Sequence, residues 1–236
     1  MSINTKFRTD EPEIMDDFSL EGEELRDALD KIAKINQLLG GNKLTLEGLK
    51  AILPKGSKKP LTIVDVGCGN GDMLRTIADF GNQDGYNFKL IGIDANAFTV
   101  KHAEKLSANY QNISFLCEDI FTIQPSKIDC DVIVCTLTLH HFKDDEIVDI
   151  LNVFKKSAKL GIVINDLQRS AVAYRLFQLL CVIFGLNRMS REDGLVSILR
   201  GFKKEELVAF SEKLNFKKYS IDWKWAFRYQ WIIQNI

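Results

Sequence analysis

From residue 61 onward, five short apolar runs at 61–66, 89–93, 113–117, 131–135 and 160–164 alternate with helical periodicity at 71–80, 98–109 and 144–157. Uninterrupted apolar runs of that length belong to strands buried on both faces, and the helices between them supply the crossovers that parallel neighbours need. With right-handed crossovers, the pattern predicts a doubly wound α/β sheet. After residue 166 the alternation breaks. A helix is expected near 170–184, a polar stretch at 187–200, a helix near 203–214, and closing strands near 216–222 and 227–233. Too few residues separate those last two strands for a crossover, so they must pair as an antiparallel hairpin.

Residues 1–58 contain no strand-like run. Leu25, Leu29, Ile32, Ile35, Leu38 and Leu39 recur at three- and four-residue steps, Gly40-Gly41 reads as a stop, and a second short helix is expected over 45–52. The chain thus divides into an N-terminal helical cap, 1–58, and a sheet domain, 59–236, whose insertion at about 167–202 follows the fifth strand.

The net charge of -1 removes the basic excess that binding a phosphate backbone would require, and no nucleic-acid partner is expected. The short basic run at 55–59 reads as a solvated loop. Cys68, Cys117, Cys130, Cys135 and Cys181 form no CxxC pair, so they read as reduced thiols, mostly buried, in a cytoplasmic protein. With three histidines and no cysteine cluster, no metal site is expected. The apolar stretch 171–186 contains Arg175 and Gln178 and falls short of the roughly 20 residues that span a bilayer. It reads as a buried helix, a lid or an interfacial contact, and its face of Leu176, Leu179, Leu180, Ile183 and Phe184 is expected in the core. Trp223, Trp225, Tyr229 and Trp231 on the closing strands are expected in core or interface.

The chemistry concentrates where the first strand ends, in Asp65-Val66-Gly67-Cys68-Gly69-Asn70-Gly71. Glycines there let backbone approach a ligand closely. A dinucleotide fingerprint needs its third glycine at position 72, which is Asp72, so the spacing is wrong for NAD. Asp65 and Asp72 flank the loop and would repel a pyrophosphate, whereas a ligand carrying an ammonium and a sulfonium would be attracted. S-adenosylmethionine (SAM) is such a ligand. The next strand ends at Asp94, followed by Ala95, and a carboxylate at that edge can accept both ribose hydroxyls. Asp119 and Ile120, after the third strand, are placed to meet an adenine.

The segments VDVGCGNG at 64–71, IGID at 91–94, CEDI at 117–120 and DVIVCTLTLHHF at 131–142 resemble class I SAM-dependent methyltransferases, over roughly 61–233. The resemblance implies a seven-stranded, mostly parallel sheet with an antiparallel last strand. It also implies roles: Asp65 and the backbone of Gly67, Cys68, Gly69 and Gly71 at the methionine part, Asp94 on ribose, Asp119 and Ile120 at adenine, Cys135 and Thr136 beside methionine. His140 and His141 occupy the stretch that many small-molecule methyltransferases carry after strand four. An imidazole there suits removal of a phenol or enol proton, and the alternative is that one histidine caps a helix while the other packs on the sheet. The N-terminal helices resemble a cap over an acceptor pocket, with Met15, Asp16 and Phe18 at its mouth. The 165–202 region resembles quinone and polyketide methyltransferases; there, helix 171–186 would form a pocket wall, and Arg191, Asp193 or Arg200 would reach the acceptor.

The expected activity is O-methylation, with C-methylation next, of an aromatic, quinone-like or polyketide-like small molecule of lipophilic character, by a monomer or homodimer without stable membrane insertion. A SAM-binding regulator without turnover is the main alternative, and an NAD or nucleotide-sugar oxidoreductase the next. Protein or nucleic-acid methylation fits the neutral charge less well.

Overall fold

The computed structural model describes residues 3–57, 59–123 and 128–234; Lys58 of the basic run lies outside them. The apolar runs form β1 (Leu61–Val66), β2 (Phe88–Asp94), β3 (Ile113–Cys117), β4 (Cys130–Thr136) and β5 (Ala158–Leu167), and the closing strands are β6 (Lys218–Lys224) and β7 (Arg228–Gln234). They make one seven-stranded sheet in the order β3-β2-β1-β4-β5-β7-β6. The first five strands are parallel, while β7 runs antiparallel between β5 and β6. This is the doubly wound, Rossmann-like arrangement that the alternation predicts.

Strand side chains alternate between two cores, as the two-residue period requires. Val64, Val66, Ile133, Ile162 and Ile164 meet α5 (Asp144–Ser157) and α8 (Lys204–Lys213) on one face. Ile63, Leu61, Val132, Val134 and Val163 meet α2 (Gly41–Ile52) and α3 (Asp72–Asp84) on the other. Helix α4 (Ala97–Leu106) is capped by the Asn96 side chain, which accepts from Thr99 N at 2.9 Å.

The N-terminal segment does not behave as one cap. Helix α1 (Glu23–Leu38) and a 3₁₀ turn at Ile14–Asp16 lie over the carboxyl edge of the sheet, but α2 joins the sheet layer, with Leu49 fully buried among Ile63, Leu74 and Val134. Gly40-Gly41 does end α1, with Gly40 left-handed at φ 79°, yet α2 begins at Gly41 rather than at 45. A Cβ at Gly41 would overlap the Asn36 side chain, so the glycine lets the two helices touch there.

The polar stretch 187–200 is a helix, α7 (Arg188–Arg200), capped by Asn187 through Ser190 N at 2.8 Å. Its buried positions include Ser190, Asp193, Ser197 and Arg200 beside Met189 and Ile198, so no apolar period marks it in the sequence. This inward polar face contacts the 3₁₀ turn, whose backbone N–H groups at Ile14 and Met15 donate to Asp193 at 2.6 and 3.0 Å.

Helix α6 (Ala171–Ile183) corrects two expectations. It does not wall the cavity, because α7 stands between it and the cap, and its Phe177 ring fills the space where Gly194 of α7 lacks a Cβ. Nor is its apolar face core: Leu176, Leu179 and Ile183 are exposed. The tryptophans also divide, with Trp231 and Tyr229 buried and Trp223 and Trp225 exposed. Cys117 is the exposed cysteine; the other four are buried.

Candidate active site

A cavity of about 940 Å³ opens at the carboxyl ends of β1, β2 and β4, where the sheet order reverses around β1. Gly67, Gly69 and Gly71 all have positive φ, at 70°, 51° and 76°. Those angles suit glycine, and a Cβ at Gly67 would overlap the Thr138 side chain across the crevice. Gly67, Cys68 and Gly69 line the cavity; Gly71 does not, and instead begins α3 as its left-handed N-cap.

Two acids define this end of the cavity. Asp94 accepts from Gly69 N at 3.1 Å and from Asn96 N at 3.0 Å, one bond to each oxygen, which leaves each oxygen a second lone pair for a ligand. Burial pushes its carboxyl up, and those two N–H groups oppose the shift. Asp65 is 2% exposed, and its Oδ1 has no hydrogen-bond partner in the protein. Burial, then the charges of Asp72 and Asp94, push its carboxyl well above the usual range. An unpartnered buried carboxyl oxygen on a cavity wall with two more acids near it calls for a cationic ligand. Asp72 itself is satisfied by Gln37 and by Asn42 Nδ2 at 2.8 Å, which tie α1 and α2 to α3.

Ala95, Asp119, Ile120 and Thr136 also line the cavity. One Asp119 oxygen accepts from Phe121 N at 2.9 Å. Cys135 lies off the cavity and is 1% exposed, because alternation turns it into the core beneath Thr136. Burial pushes the Cys68 and Cys135 thiols well up, so neither is a ready nucleophile.

The other end is assembled from distant segments. A 3₁₀ turn at Leu139–His141 follows β4, and its two histidines part company. His140 is 2% exposed, is absent from the cavity wall, and is hydrogen-bonded to Asp166 over a 2.6 Å Nδ1 to Oδ1 contact. Asp166 stays below the ordinary carboxylate range: burial pushes it up, but the His140 charge and hydrogen bond outweigh that. His141 is on the cavity wall, with Nδ1 2.7 Å from Asp16 Oδ1. Arg200 donates to the other Asp16 oxygen at 2.6 Å, and to the His140 and His141 carbonyls. Although burial raises it, Asp16 is held well below its ordinary value by the hydrogen bonds from His141 and Arg200. The carboxylate therefore accepts a hydrogen bond from His141 Nδ1, which leaves Nε2 as the ring nitrogen not engaged by Asp16.

Met15, Phe18 and Arg200 line this end as well. Arg191 does not: it is exposed beside Glu192, and Asp193 is spent on the 3₁₀ turn.

Three residues at this end carry no sequence signal. Glu13 is 4% exposed, accepts from Ser197 Oγ at 2.8 Å, and points Oε1 at His140 Nε2 over 3.6 Å. Neither of those two facing atoms has a hydrogen-bond partner among the described residues. Burial, against the pull of His141, Ser197 and Arg200, raises Glu13 to about 7. Glu13, His140 and His141 lie close enough for one ion, but the Arg200 guanidinium sits 3.8 Å from Glu13 Oε1 and Asp16 engages His141, an arrangement suited to protons. Arg8 straps the N-terminal segment over the site, donating to the carbonyls of His140 (2.9 Å), Phe142 (2.8 Å) and Arg200 (2.7 Å). Asp166, the third, is the carboxylate behind His140.

Comparison with known proteins agrees with this geometry. The family model described as a methyltransferase domain matches residues 57–193. No curated relative matches the chain. Among solved structures, the plantazolicin methyltransferase BpumL in complex with SAH is 17% identical, with a TM-score of 0.67 over 88% of this chain and 89% of that one. Magnesium protoporphyrin IX methyltransferase (ChlM) from Synechocystis PCC 6803 with bound SAH is 16% identical, with a TM-score of 0.55 over 82% and 81%. The CurJ carbon methyltransferase is 17% identical, with a TM-score of 0.57 over 81% of this chain and 54% of that one. With more than half of its length matched by the family model, the chain belongs to the methyltransferase-domain family, as a class I SAM-dependent enzyme.

Proposed function

We propose that the protein methylates oxygen on a small, apolar, aromatic or quinone-like acceptor, with His141 as the general base. The observation that carries this reading is the Asp16, His141 and Arg200 cluster on the wall of the same cavity whose far end is the glycine loop. SAM supplies an electrophilic methyl on a sulfonium. The chain's own task is to bind that cation, align the acceptor and take a proton.

Asp65, with its free buried oxygen, suits the ammonium of the methionine part; Asp94 suits the ribose hydroxyls; Asp119 and the Ile120 backbone suit adenine. The volume falls near the top of the roughly 300–1,000 Å³ range of ligand pockets, enough for a nucleoside with a second small molecule. Phe7, Pro12, Met15 and Phe18 of the N-terminal segment give the acceptor side an apolar part beside the charged Arg8, Asp16 and Arg200. That apolar part helps exclude water and suits the face of an uncharged ring. Asp16 orients His141 and stabilises the imidazolium that forms when Nε2 accepts the acceptor's proton. His140 and Arg200 hold the turn in place through Asp166 and the two histidine carbonyls.

The test is radiolabelled SAM with a panel of phenols, hydroquinones and enolic polyketides, analysed for the atom methylated. Transfer to phenolic oxygen that fails in His141→Gln is the expected result. Turnover only on peptides, or on nitrogen without need of His141, would overturn it.

A further inference from the structure

Helix α6 presents a row that the methyl-transfer site does not use. Val172, Leu176, Leu179, Val182 and Ile183 are all exposed, Val182 to 81% and Ile183 to 65%. At 100° per residue they fall within an arc of about 120°, so they form one stripe along the outer side of the helix. The opposite side is already taken, since Ala173 and Cys181 are buried and Phe177 packs at Gly194 of α7. Beside the start of α6 stand two more exposed apolar groups, Trp223 (50%) and Trp225 (64%). They are anchored to the residue two before the α6 N-cap: Trp223 Nε1 donates to Gln168 Oε1 at 2.9 Å, and Gln168 N donates to the carbonyl of Phe227, whose ring packs against both tryptophans.

Charge decides what covers this stripe. From 167 to 191 the chain contains no Asp or Glu and four arginines, in a protein whose net charge is -1. Arg169 is buried against Glu206, but Arg175, Arg188 and Arg191 are exposed; among the described residues, Arg191 alone of these three approaches an acid, Glu192, at 4.0 Å. At the far end Lys31 donates to the Gly185 carbonyl but is paired with Asp27, so that corner is neutral. A two-fold contact between copies would set this arginine-bearing face against itself with no acid on α6 to answer it. An anionic lipid surface answers both features: phosphates for the arginines, acyl chains for the stripe, and the interfacial layer for the tryptophans. The thirteen residues of α6 are too few to span a bilayer and suit a helix lying in its plane.

We infer that α6 with the Trp223 and Trp225 turn is a docking surface for an anionic membrane, on which the enzyme lies without crossing it. The surface connects to the acceptor end through one helix: α7 holds Phe177 of α6 on one side and Asp16, Ile14 and Met15 of the cap on the other. This goes beyond the proposed reaction, and vesicle binding is read without turnover, so the two fail separately.

The test uses the full chain with vesicles of phosphatidylcholine alone or mixed equally with phosphatidylglycerol, followed by flotation and by tryptophan emission. The expected result is co-flotation with the anionic vesicles at low salt, weakened at high salt, and a blue shift from Trp223 and Trp225 on binding. L179D/V182D and, separately, Arg175→Glu should each lower the vesicle partition by about tenfold or more. Both change exposed side chains, so thermal midpoint and SAM affinity should not move. Three results would overturn the inference: no flotation at low salt, equal flotation of parent and variants, or a dimer by light scattering that L179D/V182D dissociates, which would give the face to a second copy.

Discussion

At the glycine-loop end of the cavity, the acids and glycines come from one stretch of chain, positions 65–96, joined by Asp119, Ile120 and Thr136 from the next strand ends, whereas at the acceptor end Asp16 meets His141 across 125 positions and Arg200 across 184. The first end is made by backbone: three glycines with positive φ and an acid at a strand terminus can sit nowhere else once the strands are parallel. The second is made by side chains from the N-terminal segment, the turn after β4 and α7, none of which is oriented by the sheet alone. Binding the cofactor and moving the proton are therefore separable properties, and substitutions should divide along that line.

The largest effect belongs to the base. His141→Gln should lower kcat by roughly 10²- to 10⁴-fold and leave SAM affinity by calorimetry unchanged; a matching loss of affinity would merge the two ends. Next is Glu13, whose carboxyl is raised from 4.5 to about 7 in the folded protein. The folded state then holds a proton that the unfolded chain releases, so Glu13 costs nothing below pH 4.5 and costs progressively more as pH rises to about 7. Glu13→Gln should remove that slope, gaining about 3 kcal/mol on the parent between pH 4.5 and 8. Denaturant melts at both pH values measure it, and parallel curves would mean that Glu13 titrates normally.

Smaller effects test the loop end. Asp94→Ala should weaken SAM by about 1.5–3 kcal/mol and also lower the unfolding midpoint, because Gly69 N and Asn96 N lose their acceptor. Asp65→Asn should weaken SAM by a similar amount without that drop in midpoint, since its Oδ1 holds nothing in the protein. If both variants lose the same stability, Asp65 is structural. The smallest is Asn96→Ala, which breaks the α4 cap and the 2.8 Å bond to the Leu20 carbonyl that joins the loop end to the cap. About 1 kcal/mol of stability should go, with kcat nearly unaffected.

What could be read in advance follows the same division. Strands β1 to β5 were legible because buried parallel strands need continuous apolar runs, and the closing hairpin because its connection is short. Helix α7 was not, since its buried face consists of Ser190, Asp193, Ser197 and Arg200, whose partners are on the N-terminal segment rather than in α7's own period. Glu13 looked like one acid in a polar tail until Ser197 and His140 enclosed it. The α6 stripe carries the period of a core helix and is exposed all the same, because α7 occupies the inner position.

By itself the sequence determined the sheet, the glycine crevice with its acids at the strand ends, and hence the cofactor class, because those features depend on backbone geometry and on charges local to it. Only the tertiary structure decided which histidine faces the cavity. His140 and His141 are chemically identical and adjacent, and what separates them is that one turn of 3₁₀ helix directs the first into Asp166 and the second toward Asp16, carboxylates supplied by β5 and by the distant N-terminal segment.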